Sequence, residues 1–182
     1  MKRWVALPLL LVPVAVAVLT TRATGAPSAA ERGKYLVTIC GCWDCHTPHK
    51  PGPKGIEPDR ELWLAGHQAS LTMPPAPTLP EGPWRVSAAG TLTAWAGPWG
   101  TSFSANLTPD PETGLGEWSE AEFIAAIRTG RHAGTGRPIL PPMPIGAISQ
   151  MTDEDLAAVF AYLKTVKPIK NRVPDPVPPA GK

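Results

Sequence analysis

Cys42-Trp43-Asp44-Cys45-His46 puts two thiols and an imidazole within five positions. Each thiol can add across a vinyl group and leave a thioether. On a helical turn, positions i, i+3 and i+4 share one face, so Cys42, Cys45 and His46 project together. With Cys45 bonded to the edge of a porphyrin, the adjacent imidazole lies under its iron. This is the spacing of c-type haem attachment. One covalent haem c is expected, held by thioethers to Cys42 and Cys45, with His46 as the proximal iron ligand. All three cysteines lie between positions 40 and 45, too close together to frame a disulfide scaffold. Cys40 shares a helical stripe with Leu36 and Val37, which predicts a small buried hydrophobe. A reactive thiol, or a competitor of Cys42 for haem, is the alternative.

The sixth position on the iron needs a second ligand or stays open. Pro141-Pro142-Met143-Pro144 holds a thioether in a stiff loop with little backbone freedom to lose. Met143 is therefore the candidate distal ligand, with Met73, followed by Pro74 and Pro75, as runner-up. Met151 reads as core at a helix entry. His49, His67 and His132 read as loop or surface histidines. A ligating histidine donates its second ring N–H to a carbonyl or carboxylate; the loop backbone around Pro51–Pro53 is the candidate acceptor. Arg128, Arg131 and Arg137 are candidates for haem propionate contacts, because guanidinium pairs well with carboxylate.

These side chains need elements to position them. Residues 29–41 read as a first helix, in which Gly33 marks a close helix crossing, with Tyr162 as its partner. Ser119–Thr129 reads as a second, opened by the capping box Ser119-x-x-Glu122 and closed by Gly130. Thr152–Lys167 reads as a third, with Thr152 as N-cap and Asp153, Glu154 and Asp155 in its first turn. Leu156, Val159, Phe160 and Leu163 supply its apolar face. Between the first two helices runs an irregular Pro/Trp-rich insertion, about residues 51–118. It is read as cover over one haem edge, with a short hairpin from Trp84–Val86 and Thr91–Trp95. Asn106-Leu107-Thr108 is a glycosylation sequon followed by Pro109. Asp110, Glu112 and Glu117 read as a turn. The fold class expected is all-α, with residues 27–170 as the haem domain and 171–182 as an extended, mobile Pro-rich tail.

Of the 182 residues, 24 are Pro, 17 Gly and 7 Trp, a mixture that suits a small core with much irregular chain. The net charge of +2 includes Lys2, Arg3 and Arg22 of residues 1–26, which hold no acid; the remainder carries 14 basic and 15 acidic residues. There is no basic stripe with interleaved aromatics, so no nucleic-acid partner is expected. Lys2 and Arg3 precede an apolar run from Trp4 to Leu19, followed by small residues, the pattern of a secretory signal peptide. Cleavage after Gly25 or after Ala30 fits. The competing reading is an uncleaved anchor, since Arg3 and Arg22 enclose 18 uncharged residues, just enough to span a membrane. In both cases the body is exported, to a periplasmic location, and membrane contact follows only if the leader stays.

Together the pieces resemble a class I c-type cytochrome: a first helix, Cys-x-x-Cys-His, a middle helix, a Met loop and a last helix, over residues 30 to about 170. The stretch from Ala105 to Ser119 and Pro141–Pro144 are similar to the haem units of cytochrome c subunits of membrane-bound alcohol and sugar dehydrogenases. The resemblance implies haem on Cys42 and Cys45, with His46 and Met143 as axial ligands. Those subunits carry several haems, whereas this chain has one Cys-x-x-Cys-His; Cys40 and the long insertion also depart from the pattern. The function expected is one-electron carriage, without catalysis, between a dehydrogenase or other respiratory donor and an acceptor such as a terminal oxidase. Two other classes compete: a haem enzyme or gas-binding protein with an open sixth position, and a non-haem module. The latter takes zinc on Cys40, Cys42, Cys45, His46 and His49, or uses Cys42 and Cys45 as a thiol couple.

Overall fold

The computed structural model describes residues 26–179. The leader, with its cleavage site after Gly25, lies outside them. Among the described residues, no helix is long and apolar enough to cross a membrane.

Helices from opposite ends of the chain make the frame. Helix α1 (Ala29–Ile39) begins at a capping box in which Ser28 and Glu31 satisfy each other's backbone N–H groups. Helix α5 (Asp153–Leu163) begins at Thr152, whose hydroxyl accepts from the Asp155 N–H. Leu156, Val159, Phe160 and Leu163 recur at helical spacing and are all buried, against Leu36 and Val37 of α1. Apolar faces of this period drive helices together because each removes a stripe of hydrocarbon from water. The crossing is set by Gly33, as expected. A Cβ there would sit 1.8 Å from the Ala158 carbonyl oxygen and 2.9 Å from Tyr162 Cβ. Arg32 closes the same crossing with paired bonds of 2.9 and 3.2 Å to Asp155.

Helix α3 (Glu120–Thr129) also matches its expectation, with both halves of the Ser119/Glu122 box made and Gly130 left-handed after it. Its Phe123 packs on Phe160, ring centroids 5.3 Å apart. Helix α5 ends at Leu163 with Lys164 as C-cap, earlier than the expected Lys167; the Lys164 ammonium turns to the carbonyls of Leu115 and Gly116. Two short helices complete the set: α2 (Cys42–His46) and α4 (Ile145–Ile148).

The expected all-α class is corrected by two antiparallel sheets. Strands β1 (His49–Gly52) and β2 (Gly55–Pro58) form one hairpin. Strands β3 (Ser87–Ala88), β4 (Ala94–Gly97) and β5 (Gly100–Phe103) form a three-stranded meander. Pro and Gly every few residues break a helical period but suit tight turns. Pro53-Lys54 and Pro98-Trp99 are accordingly two-residue connections. The expected hairpin exists, shifted so that Ser87 and Ala88 pair with Ala96 and Trp95.

The tail is corrected too. Val177 exchanges backbone hydrogen bonds of 2.8 and 2.9 Å with Thr101 and lies along β5. Asn171 fixes the chain before it. Its Nδ2 donates to the carbonyls of Ala65 and His67, at 2.7 and 2.8 Å, and its Oδ1 accepts from the Ala69 N–H. Asn106 of the sequon is a buried structural residue. It is 4% exposed and bonded to the Ile169 carbonyl. Asp110 forms the expected turn, its carboxylate accepting from Glu112 and Thr113.

Candidate haem site

Helix α2 leaves α1 through Gly41, which is left-handed at φ 67, a conformation that costs glycine nothing and other residues strain. The turn redirects the chain so that Cys42, Cys45 and His46 all line one cavity of about 810 Å³. That volume falls in the range of small-molecule and cofactor pockets. Its walls are mostly apolar and come from every part of the frame, with Leu36 and Val37 from α1, Phe123 and Ile127 from α3, and Leu156 and Val159 from α5. Met143 lines the same cavity and Met73 does not. Trp43 points elsewhere, stacked on Trp63 at 5.8 Å.

His46 is oriented through its backbone and its ring. Its Nδ1 lies 2.8 Å from the Ala105 carbonyl oxygen. A carbonyl only accepts, so Nδ1 carries the proton and Nε2 keeps its lone pair. Burial pushes the imidazole pKa below its ordinary value, which keeps it neutral. The acceptor expected near Pro51–Pro53 is thus corrected to Ala105. That carbonyl is placed by two antiparallel runs of backbone: Leu107 donates to Leu64, His67 to Ser104, and Gly66 to His46 itself. Gly66, at φ 76, is the close approach; a Cβ there would meet the Ala105 carbonyl at 2.6 Å.

Burial also raises the cysteine pKa values, Cys42 to about 11 with further contributions from Cys40 and Cys45, and Cys45 by burial and by Asp44. Both thiols are therefore favoured as S–H, the form that would add across a vinyl group, sulfur to one carbon and hydrogen to the other. The residues fit a covalent haem: an apolar cavity, two thiols and a fixed imidazole on one wall, and a thioether side chain on the lining. The haem, when bound, supplies an iron that changes oxidation state by one electron.

Several expected neighbours are elsewhere. Cys40 is exposed rather than buried, because α1 ends at Ile39 and Cys40 caps it at the cavity rim. Arg128 is committed to the carbonyls of Ser149 and Met151 and to Asp153, and Arg131 to the Gly136 carbonyl. Arg137 does line the cavity, joined by Arg172, which no sequence signal marked. Of the Trp-rich insertion, Trp95 lines the cavity, as does Trp118 at its end, while Trp84 is 76% exposed. His67, expected as a loop or surface histidine, lies in a loop but is fully buried between Thr93 Oγ1 and the Leu71 carbonyl. Among the described residues, no group of three or more His, Cys, Asp or Glu converges as a metal site without haem would require.

A pocket of this composition with Cys-x-x-Cys-His on its wall defines a protein built around an attached haem. Residues 30–167 match the Cytochrome c family, and the chain belongs to it. Membership of that family supports electron transfer through a c-type haem. It is 32% identical over 161 residues to a nicotinate dehydrogenase subunit of Pseudomonas putida, covering 87% of this chain and 10% of that protein. It is 44% identical over 73 residues to the cytochrome c subunit of the quinone alcohol dehydrogenase of Gluconacetobacter polyoxogenes, covering 40% of this chain and 15% of that protein. With the fructose dehydrogenase cytochrome subunit of Gluconobacter japonicus it shares 29% over 150 residues, covering 82% and 24%. The chain thus spans between 10% and 24% of the length of these relatives.

Proposed function

We propose that this chain is a periplasmic one-electron carrier with a single haem c, bonded to Cys42 and Cys45 and ligated by His46 and Met143. It takes electrons from a dehydrogenase and passes them to an acceptor such as a terminal oxidase of a respiratory chain. The observation that carries the reading is the shared cavity: Cys42, Cys45, His46 and Met143 line it together, and His46 has its Nδ1 occupied by Ala105. With His46 and Met143 both holding the iron, no position would remain for substrate, and the haem would supply a change of oxidation state alone. Thioether ligation favours a relatively high potential. The apolar walls keep water from the site, and Arg137 and Arg172 at the lining offer positive charge to haem carboxylates. The dehydrogenase partner is suggested by the names of the relatives. Export is suggested by the leader. Of its two cleavage sites, the one after Gly25 leaves the Ser28–Glu31 capping box of α1 intact, whereas the one after Ala30 removes its cap.

The test is spectroscopic. The purified protein should retain haem through acid–acetone extraction and show a low-spin ferric spectrum with a weak far-red sulfur-to-iron band. Met143→Ala should abolish that band and lower the reduction potential. A high-spin spectrum that Met143→Ala leaves unchanged would exclude Met143 as ligand and leave the open-site reading in its place.

A further inference from the structure

The loop that presents Met143 is poorly equipped to hold itself. Pro141, Pro142 and Pro144 have no backbone N–H, so most of its residues bond only through their carbonyls. The Met143 and Pro144 carbonyls accept from Ile145, Ala147 and Ile148, which are local contacts within α4. Farther out, Ile139 donates to the Gly130 carbonyl at 2.8 Å on one side, and Arg128 binds the Ser149 and Met151 carbonyls on the other. Between these anchors, within residues 141–144, one bond from another part of the chain is present among the described residues. Ser102 Oγ donates to the Pro141 carbonyl at 2.5 Å.

Ser102 sits in β5 and is 7% exposed. Its hydroxyl has one hydrogen. The Trp95 carbonyl is 3.5 Å away, so the Pro141 carbonyl takes the hydrogen. Trp99 Nε1 donates to Ser102 Oγ at 3.2 Å, which leaves the hydroxyl hydrogen for the loop; a chain of two such bonds polarises and strengthens each. Three residues further along the chain, the Ala105 carbonyl holds His46.

We infer that the Trp99–Ser102 pair positions the Met143 loop, so that one short run of the insertion, from Ser102 to Ala105, sets both axial ligand segments against the haem. The inference rests on Met143 being the distal ligand. Ser102 touches neither haem nor substrate and acts as a positioning residue. The insertion thereby becomes part of the ligand machinery.

The test uses the full-length holoprotein and added imidazole, which competes with a thioether for ferric iron. Ser102→Ala should bind imidazole about fivefold more tightly than wild type, the factor expected for one hydrogen bond of ordinary net strength, and weaken the far-red band with haem content unchanged. Ser102→Thr, which keeps the hydroxyl, should restore the wild-type band and affinity. Trp99→Phe, which leaves the hydroxyl but removes its donor, should give a smaller gain of about threefold; it decides the matter if Ser102→Ala fails to load haem. Imidazole affinity within about twofold of wild type in both Ser102→Ala and Trp99→Phe, with the far-red band intact, overturns the positioning role alone. A wild-type protein without the band removes Met143 as ligand, and the positioning role with it.

Discussion

The α1/α3/α5 frame and the insertion that crosses it are held together in different ways. Each frame helix carries its own start signal, a hydroxyl three residues before its partner N–H, and its own apolar stripe. The helices then meet through complementary surfaces. The insertion, apart from its two small sheets, is irregular and is tied to the rest by side chains that bond to distant backbone. Asn171 reaches Ala65 and His67, Asn106 reaches Ile169, and Thr47 Oγ1 accepts from the Leu64 N–H. Local signals build the frame cheaply but aim nothing at the iron. The long-range ties order an irregular chain, and that chain supplies the Ala105 carbonyl and Ser102.

The largest effect should come from the frame. In Gly33→Ala the new methyl would overlap the Ala158 carbonyl, an atom of a helix backbone that cannot swing aside. A loss of about 3 kcal/mol is expected, seen as a lower denaturant midpoint; a change under about 1 kcal/mol would mean that the helices slide apart freely. The insertion should yield less to any one change. Asn171→Ala removes three bonds and leaves the Ala65 and His67 carbonyls short of a donor, worth about 2 kcal/mol. It should raise hydrogen exchange in residues 64–71 while α1 and α5 stay protected. Equal loosening of both regions would erase the distinction drawn between them.

The smallest effect is a pH dependence confined to the insertion. Burial pushes the His67 pKa below its ordinary 6.5. The unfolded chain then binds the proton more readily, so stability from this site is full above about pH 6.5 and declines as pH falls toward the lower folded value. His67→Gln should flatten that acid-side slope in chemical denaturation, and a slope that persists would assign it to other groups.

Much of the frame was legible because its causes are local. A capping box, a glycine after the last turn and apolar residues at 3.6 spacing each act within four positions, so a reader of the chain meets cause and effect together. Cys42, Cys45 and His46 were legible for the same reason. The Ala105 carbonyl was not, because every residue has a carbonyl and 59 positions separate it from His46. Ser102, Arg172 and buried His67 were hidden likewise, since what each one faces is fixed only once the chain has closed. The all-α expectation failed where Pro and Gly exclude helix but leave open whether neighbouring strands pair.

By itself, then, the chain determined three helices, two of them with their caps, the Gly33 crossing and a thiol–thiol–imidazole segment on one helical face, because backbone geometry ties each of these to residues a turn apart. Only the tertiary structure decided that Met143 rather than Met73 reaches the cavity, that the Ala105 carbonyl accepts the His46 Nδ1–H, that Arg128 is spent elsewhere, and that the tail lies along β5. Those outcomes depend on which distant groups find one another, and a hydrogen bond between residues far apart leaves no period or motif in the sequence.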